Sequence, residues 1–157
     1  MEYTYKKAAA SDIDLLTSTR ITVLRAANGL DENADMSKIE AQSRLYYQNA
    51  LADGTHTAYL VFAGDEFVGA GGISYYNVMP TCDVPTGKKA YIMNMYTAPS
   101  HRRQGIAMKT LSLLVDDARK KGITHITLEA TKMGRPLYER YGFKAMEHEM
   151  ILPQEDL

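Results

Sequence analysis

Residues 100–111 read "SHRRQGIAMKTL", with Arg102, Arg103, Gln104 and Gly105 set against the start of an apolar, helix-periodic run. The stretch before it, "KAYIMNMYTAPS" (89–100), is a strand rich in Tyr, Ile and Met. It must stop by Pro99, because proline lacks the ladder donor and restrains the residue before it. From Gly105 onward Ile106, Leu111, Leu114, Val115 and Ala118 mark one apolar helix face, and "RKKG" (119–122) supplies cations and a terminating glycine. A strand that turns straight into a helix leaves the N–H groups of the helix's first turn free, at the positive end of its dipole. Gly105 has no Cβ, so backbone can approach a ligand there. Arg102 and Arg103 add charge and Gln104 adds hydrogen-bonding capacity. An anion, phosphate foremost, suits that place. A glycine beside basic residues at a helix start also occurs in proteins that bind nothing, so the stretch alone leaves both readings. It matches neither G-x-x-x-x-G-K-[ST] nor G-x-G-x-x-G.

Working outward, "YTYKKA" (3–8) is β-prone, and Ser11 or Asp12 can cap a helix that ends near Gly29. The polar loop "NGLDENAD" (28–35) leads to a second helix closed by Gly54. "HTAYLVFAGDEFVGAGGISYYN" (56–77) reads as two strands around Gly64-Asp65, with "GAGG" (69–72) marking a bend or bulge. An exposed loop, "NVMPTCDVPTGKK" (77–89), follows. After the central strand and helix come an alternating strand "ITHITLEA" (123–130), a short helix "GRPLYERYG" (134–142) and a final strand "FKAMEHEMIL" (143–152). The order is mixed α/β, with strands outnumbering helices.

Composition bounds the function. A chain of 157 residues, 45% hydrophobic, is sized for one domain, 1–157. Its formal charge of -1 provides no field to recruit nucleic acid or an anionic membrane, so any anion site is local. One cysteine, Cys82, excludes an internal disulfide and fits a reduced, cytoplasmic setting; with no histidine near it in sequence, it reads as a loop thiol. The start lacks a signal-peptide core, and no stretch approaches the roughly 18 apolar residues of a membrane span. His56, His101, His125 and His148 show no ligand spacing with Cys or carboxylates, so no metal is expected.

Two segments carry a family resemblance. Arg102-Arg103-Gln104-Gly105-Ile106-Ala107 resembles the [RQ]-x-x-G-x-[GA] signature of the GCN5-related N-acetyltransferase superfamily, and "LYERYGF" (137–143) resembles its "xYexxGF" segment, in the right order and around the right helix and strand. The resemblance is sharpest over residues 89–145. It implies an α/β fold of about six to seven strands in a twisted, mixed, mostly antiparallel sheet, flanked by about four helices, with a splayed strand pair that admits coenzyme A. It also implies acetyl-CoA as cosubstrate, its pyrophosphate on the backbone N–H groups of Arg103, Gln104, Gly105, Ala107 and Met108, with Arg102 helping by charge. The pantetheine arm would pair with main-chain groups at Met95 and Thr97, and the Met95 N–H would polarise the thioester carbonyl.

The implied reaction is direct attack of an amine, on a small molecule or peptide, in a ternary complex. Tyr138 holds the position of the acid that protonates the departing thiolate, or else packs under the sheet. Tyr141 reads as core; Arg140 reaches the 3′-phosphate or is solvated. The base is where the sequence departs from relatives that place a glutamate on the central strand, because Tyr91 stands at the matching position. Glu129 and Asp83 remain as candidates. Asn94 orients water or substrate or simply faces outward. Thr131 and Lys132 stand where many relatives have a pantetheine-contacting asparagine. A second function, a non-catalytic acyl-CoA-binding or sensor domain, is favoured by the missing strand glutamate and opposed by Tyr138. A homodimer is compatible with the family, without a signature here.

Overall fold

The computed structural model describes residues 2–154; Met1 and residues 155–157 of the expected domain lie outside the described residues. Strand β1 (Thr4–Lys7) leads into helices α1 (Ile13–Asn28) and α2 (Ser37–Asp53), then strands β2 (His56–Ala63), β3 (Glu66–Asn77) and β4 (Lys88–Thr97). Helix α3 (Ile106–Lys120), strand β5 (His125–Leu128) and helix α4 (Arg135–Tyr141) complete the described elements. The five strands lie in chain order, β1-β2-β3-β4-β5. Pairing is antiparallel except between β4 and β5, which are parallel because α3 carries the chain back across the sheet.

Each face of the sheet takes a different cover. On one, the predicted stripe of α3 is buried: Leu111, Leu114, Val115 and Ala118 pack with Ile73, Ala90, Ile92 and Tyr138. On the other, Leu16 of α1 and Tyr47 of α2 pack with Ala58, Leu60 and Ala70. Full burial of a large aliphatic side chain contributes about 1.5–3 kcal/mol, so the α3 stripe alone is a large share of the folding drive. Two glycines of β3 let these layers close. A Cβ on Gly71 would lie 2.6 Å from the Thr110 side chain and 2.8 Å from Met95 Sδ; one on Gly72, facing the other way, would lie 2.9 Å from His56 Nε2. The "GAGG" stretch lies opposite a bulge rather than forming it: the β3–β4 register slips between Ala70 and Gly72, with the extra residue on β4.

The predicted final strand is not formed. Residues 143–152 are irregular, and 144–152 are exposed, so the sheet has five strands rather than six to seven. Alternating sequence becomes a strand only where a partner edge takes its N–H and C=O groups. Here β5 is a short edge and "KAMEHE" (144–149) puts three charged side chains into six positions, so little apolar surface is gained by pairing. β5 itself is also shorter than "ITHITLEA" suggested.

A charge is buried under α3. Asp117 accepts from Thr57 Oγ1 at 2.8 Å, Tyr75 Oη at 2.5 Å, and Lys7 Nζ and Lys121 Nζ at 3.2 Å each. Burial raises the carboxyl pKa, but these hydrogen bonds outweigh it and hold it down at about 2. The stability it contributes is present above the ordinary value of 3.8 and is lost as pH falls towards about 2. Asp117→Ala should leave Thr57 and Tyr75 without their acceptor and lower unfolding free energy by about 2 kcal/mol in urea titrations at pH 7; an unchanged midpoint would show the network to be dispensable.

Candidate active site

The site begins where the parallel pair comes apart. β4 and β5 are in register from Lys89 opposite His125 to Ile92 opposite Leu128, after which β5 ends while β4 continues to Thr97 paired with β3 alone. Within that free stretch Gly72 faces Met93 and Ala70 faces Tyr96, so Asn94 and Met95 together oppose Gly71. The extra residue is accommodated by Asn94, whose φ of 60° is in the left-handed region. A bulge there twists β4 away from its neighbour. The Met95 side chain turns into the α3 core, against Gly71, while Met93 Sδ lies 3.7 Å from Ser74 Oγ on the α1–α2 side. The two methionines therefore leave the same strand on opposite faces, and the backbone between them forms an edge unpaired on its β5 side.

That edge runs into the loop before α3. A 3-10 turn, Pro99–His101, ends β4, and Arg103 (φ 63°) and Gly105 (φ 82°) both take left-handed conformations. The first helical hydrogen bond of α3 runs from Lys109 N to Gly105 O, which leaves the N–H groups of Ile106, Ala107 and Met108 at the helix start, with no side-chain cap. Residues 102–105 are exposed, and a Cβ on Gly105 would meet no protein atom within 4 Å. The cradle is open to solvent and bordered by positive charge. Arg102 Nε reaches back to Thr97 O at 3.4 Å, and Tyr3 donates to Gln104 Oε1, so the end of β4 and the residue just before β1 hold two of the loop's side chains. His101, buried behind the loop, packs edge-on against the Tyr3 ring with centroids 6.0 Å apart. These Tyr3 and His101 contacts bridge about a hundred residues and had no local sequence signal.

Tyr138 sits in the α3-side cluster, against which Met95 and Leu128 also pack. Its ring is buried, 8% exposed, and packs edge-on against Phe143; no buried side-chain oxygen among the described residues lacks either a hydrogen bond or solvent. Burial raises its pKa above 10.0, so the hydroxyl is protonated at neutral pH. Tyr141 also packs against this cluster, while Arg140 is exposed. A cavity of about 970 Å³ opens on the outer side of β5, between Tyr138, Val115, Ile126, Phe143 and Met150. It contains neither Met95 nor the 102–108 loop. It occupies the place next to β5 where a sixth strand would lie.

On the opposite face the bulge is gripped by α1. Arg20 Nη1 donates to Asn94 Oδ1 at 2.9 Å. Beside it His56 is 6% exposed, its Nδ1 lying 2.9 Å from Tyr46 Oη and 3.1 Å from Ser74 Oγ. Burial first, and the Arg20 charge second, hold the imidazole pKa at about 4, so the ring is neutral at pH 7. Tyr91 has its pKa raised by burial and by the charges of Glu129 and Glu149. Of the two carboxylates considered as bases, Glu129 follows β5 beside Tyr91, whereas Asp83 is exposed in the 77–88 loop, which closes on itself through Val78 N to Gly87 O at 2.8 Å. Cys82 is exposed in the same loop.

Residues 26–143 match the model of the acetyltransferase (GNAT) family. The chain belongs to that family. A crystal structure of a predicted acetyltransferase with acetyl-CoA from Clostridium acetobutylicum is 34% identical and superimposes with a TM-score of 0.87, covering 97% of this chain and 96% of the other. A GCN5-related N-acetyltransferase from Ralstonia eutropha JMP134 is 26% identical at a TM-score of 0.81, over 98% and 99% of the two chains. Among curated proteins, the uncharacterized N-acetyltransferase YsnE of Bacillus subtilis (strain 168) is 29% identical over 58% of each chain. GCN5-related N-acetyltransferase 6, chloroplastic, of Arabidopsis thaliana is 35% identical over 40% of this chain and 23% of its own length. The aligned part thus spans less than two thirds of either curated relative. Among the described residues no cluster of His, Cys, Asp or Glu could hold a metal ion, and no helix is long and apolar enough to cross a membrane.

The buried neutral histidine predicts a pH dependence. Below its ordinary pKa of 6.5 the unfolded chain takes up a proton that folded His56 refuses until about pH 4. Stability should therefore fall by about 3 kcal/mol on acidification through that window, and His56→Gln should remove this part of the slope. Parallel pH profiles for the two proteins in urea unfolding would show the imidazole is not the cause.

Proposed function

We propose that this chain transfers the acetyl group of acetyl-CoA to an amine by direct attack in a ternary complex, within the single domain expected from its length. The observation that carries the reading is the continuity of the free β4 edge, Met93–Thr97, with the uncapped start of α3 at Gly105. An extended amide-bearing arm can pair along the first, and a pyrophosphate can accept from the N–H groups of the second. The coenzyme supplies a thioester, an acyl group already bonded to a good leaving atom.

The chain's residues do the rest. Arg103, Gln104, Gly105, Ala107 and Met108 provide the backbone cradle, and Arg102 provides charge beside it. The Gly105 position, open where a Cβ would project, suits close backbone approach. Main-chain groups of Met95 and Thr97 hold the arm, and the Met95 N–H stabilises the negative charge that develops on the carbonyl oxygen. The acceptor nitrogen must be neutral to attack; Glu129, directly or through water, takes its proton. As the carbon–nitrogen bond forms and the carbon–sulfur bond breaks, the thiolate takes a proton from Tyr138 Oη. Tyr138 belongs to the apolar cluster against which Met95 of β4 and Leu128 of β5 also pack, which supports giving it this role.

The first test is acetyl-CoA-dependent thiol release against amines, amino acids, polyamines and peptides, with coenzyme binding measured by calorimetry. Tight binding without turnover of any acceptor would replace the enzyme with an acyl-CoA sensor. Tyr138→Phe should reduce kcat by about 100-fold while leaving coenzyme affinity unchanged; an unaltered kcat would remove the phenol from the reaction. Gly105→Trp should weaken coenzyme binding by roughly tenfold or more, since the indole would fill the cradle, and Gly105→Ala separates that from backbone strain alone. Wild-type affinity in the Trp variant would displace the pyrophosphate from this loop.

A further inference from the structure

The α1–α2 face of the bulge holds a charge with no opposite number among the described residues. Arg20 is half-buried, and burial depresses its pKa. The buried carboxylates Asp12 and Asp117 are both paired with lysines, and the other two ion pairs among the described residues, Arg44–Asp14 and Arg135–Glu139, satisfy their own arginines. Arg20 has none. Of its five donors, one is used, and on a neutral amide, Asn94. The groups around it from the packed elements are uncharged: the Tyr47 phenol of α2, the neutral His56 of β2 and Asn94 of β4.

The position is informative as well as the charge. Asn94 immediately precedes Met95, whose N–H faces the reacting carbonyl in the proposed reaction. A guanidinium bonded to Asn94 is therefore within a small molecule's length of the attacking amine. Its planar fork matches the two oxygens of a carboxylate, and a single unsupported cation balances a monoanion better than a phosphate dianion. Across the same strand the Glu129 carboxylate lies near Tyr91. Cation on one side and carboxylate on the other complement a molecule that carries an acid and an amine close together.

We propose that the acceptor is a small amine bearing a free carboxylate, of the amino-acid class, and that Arg20, held in place by Asn94, binds that carboxylate. This rests on the transferase reading and narrows its substrate. A peptide amino terminus, whose carboxylate is remote, is excluded by it.

The experiment pairs each of the common amino acids with its own carboxamide in the thiol-release assay, alongside spermidine and an aminoglycoside, for wild type, Arg20→Gln and Arg20→Lys. At least one amino acid should be acetylated with kcat/KM roughly 10- to 100-fold above its amide, the ratio expected for losing a charged hydrogen-bond partner. Arg20→Gln should erase that gap chiefly by raising KM for the acid, with Arg20→Lys recovering part of it and coenzyme affinity unchanged in both. Equal rates for acid and amide in the wild type, turnover confined to spermidine or the aminoglycoside, or equal loss of acid and amide in Arg20→Gln would each overturn the assignment while leaving the transferase standing. Coenzyme binding without turnover of any of these amines would overturn both. Should Arg20→Gln fail to fold, the wild-type acid-to-amide ratio decides alone.

Discussion

At Asn94 the backbone turns through φ 60°, and two residues of β4 face one of β3. Without that irregularity β4 would continue in register with both neighbours, and the edge between Met93 and Thr97 would be filled by sheet hydrogen bonds. The strained conformation is held from three directions. Gly71 permits it by leaving room for Met95 and Thr110 beneath the bulge, Arg20 of α1 holds the Asn94 side chain from above, and Thr97 is tied forward to Arg102. Asparagine tolerates the left-handed region better than most residues, so the choice at position 94 serves both the backbone and the contact with Arg20.

The two faces of the sheet handle polarity in opposite ways. Under α3, Asp117 keeps its charge because two lysines and two hydroxyls compensate its burial. Under α1 and α2, His56 stays neutral chiefly because it is buried without a compensating acid, and secondarily because the adjacent Arg20 charge is of the sign an imidazolium would have. The first network anchors the C-terminal half of α3 to β1, β2 and β3, far along the helix from its open N-terminus. The second lines the approach to the bulge with hydroxyls and a neutral ring. Arg20 consequently sits in surroundings that neither cancel nor compete with its field.

What could be read in the sequence was whatever local chemistry determines. Pro99, Gly105 and the periodic face from Ile106 to Ala118 specify a strand, a turn and a helix within about twenty residues, and the family signature lies on that same span. Gly29 and Gly54 closed α1 and α2 where turn chemistry required. The contacts that complete the site join residues far apart: Arg20 to Asn94, Tyr3 to Gln104, Lys7 to Asp117. Each involves ordinary surface-type side chains whose partners only the fold supplies. The stretch 143–152 failed for the converse reason, since alternation is necessary for an edge strand but a partner makes it one.

Tyrosine at position 138 illustrates how packing and chemistry coincide. A carboxylic acid in the same cluster would have to be kept protonated against its nature, and a histidine would lose its proton to burial, as His56 does. Burial instead strengthens the phenol's hold on its proton, so the contacts with Phe143 and with the Cβ-less Gly134 that stabilise α4 also keep the hydroxyl in its donating form. In the proposed reaction that proton is needed only when a thiolate appears beside it. A weak acid in an apolar site meets that condition, because the same burial raises the basicity of a thiolate expelled there, so that the phenol can share its proton with the sulfur while yielding none to solvent.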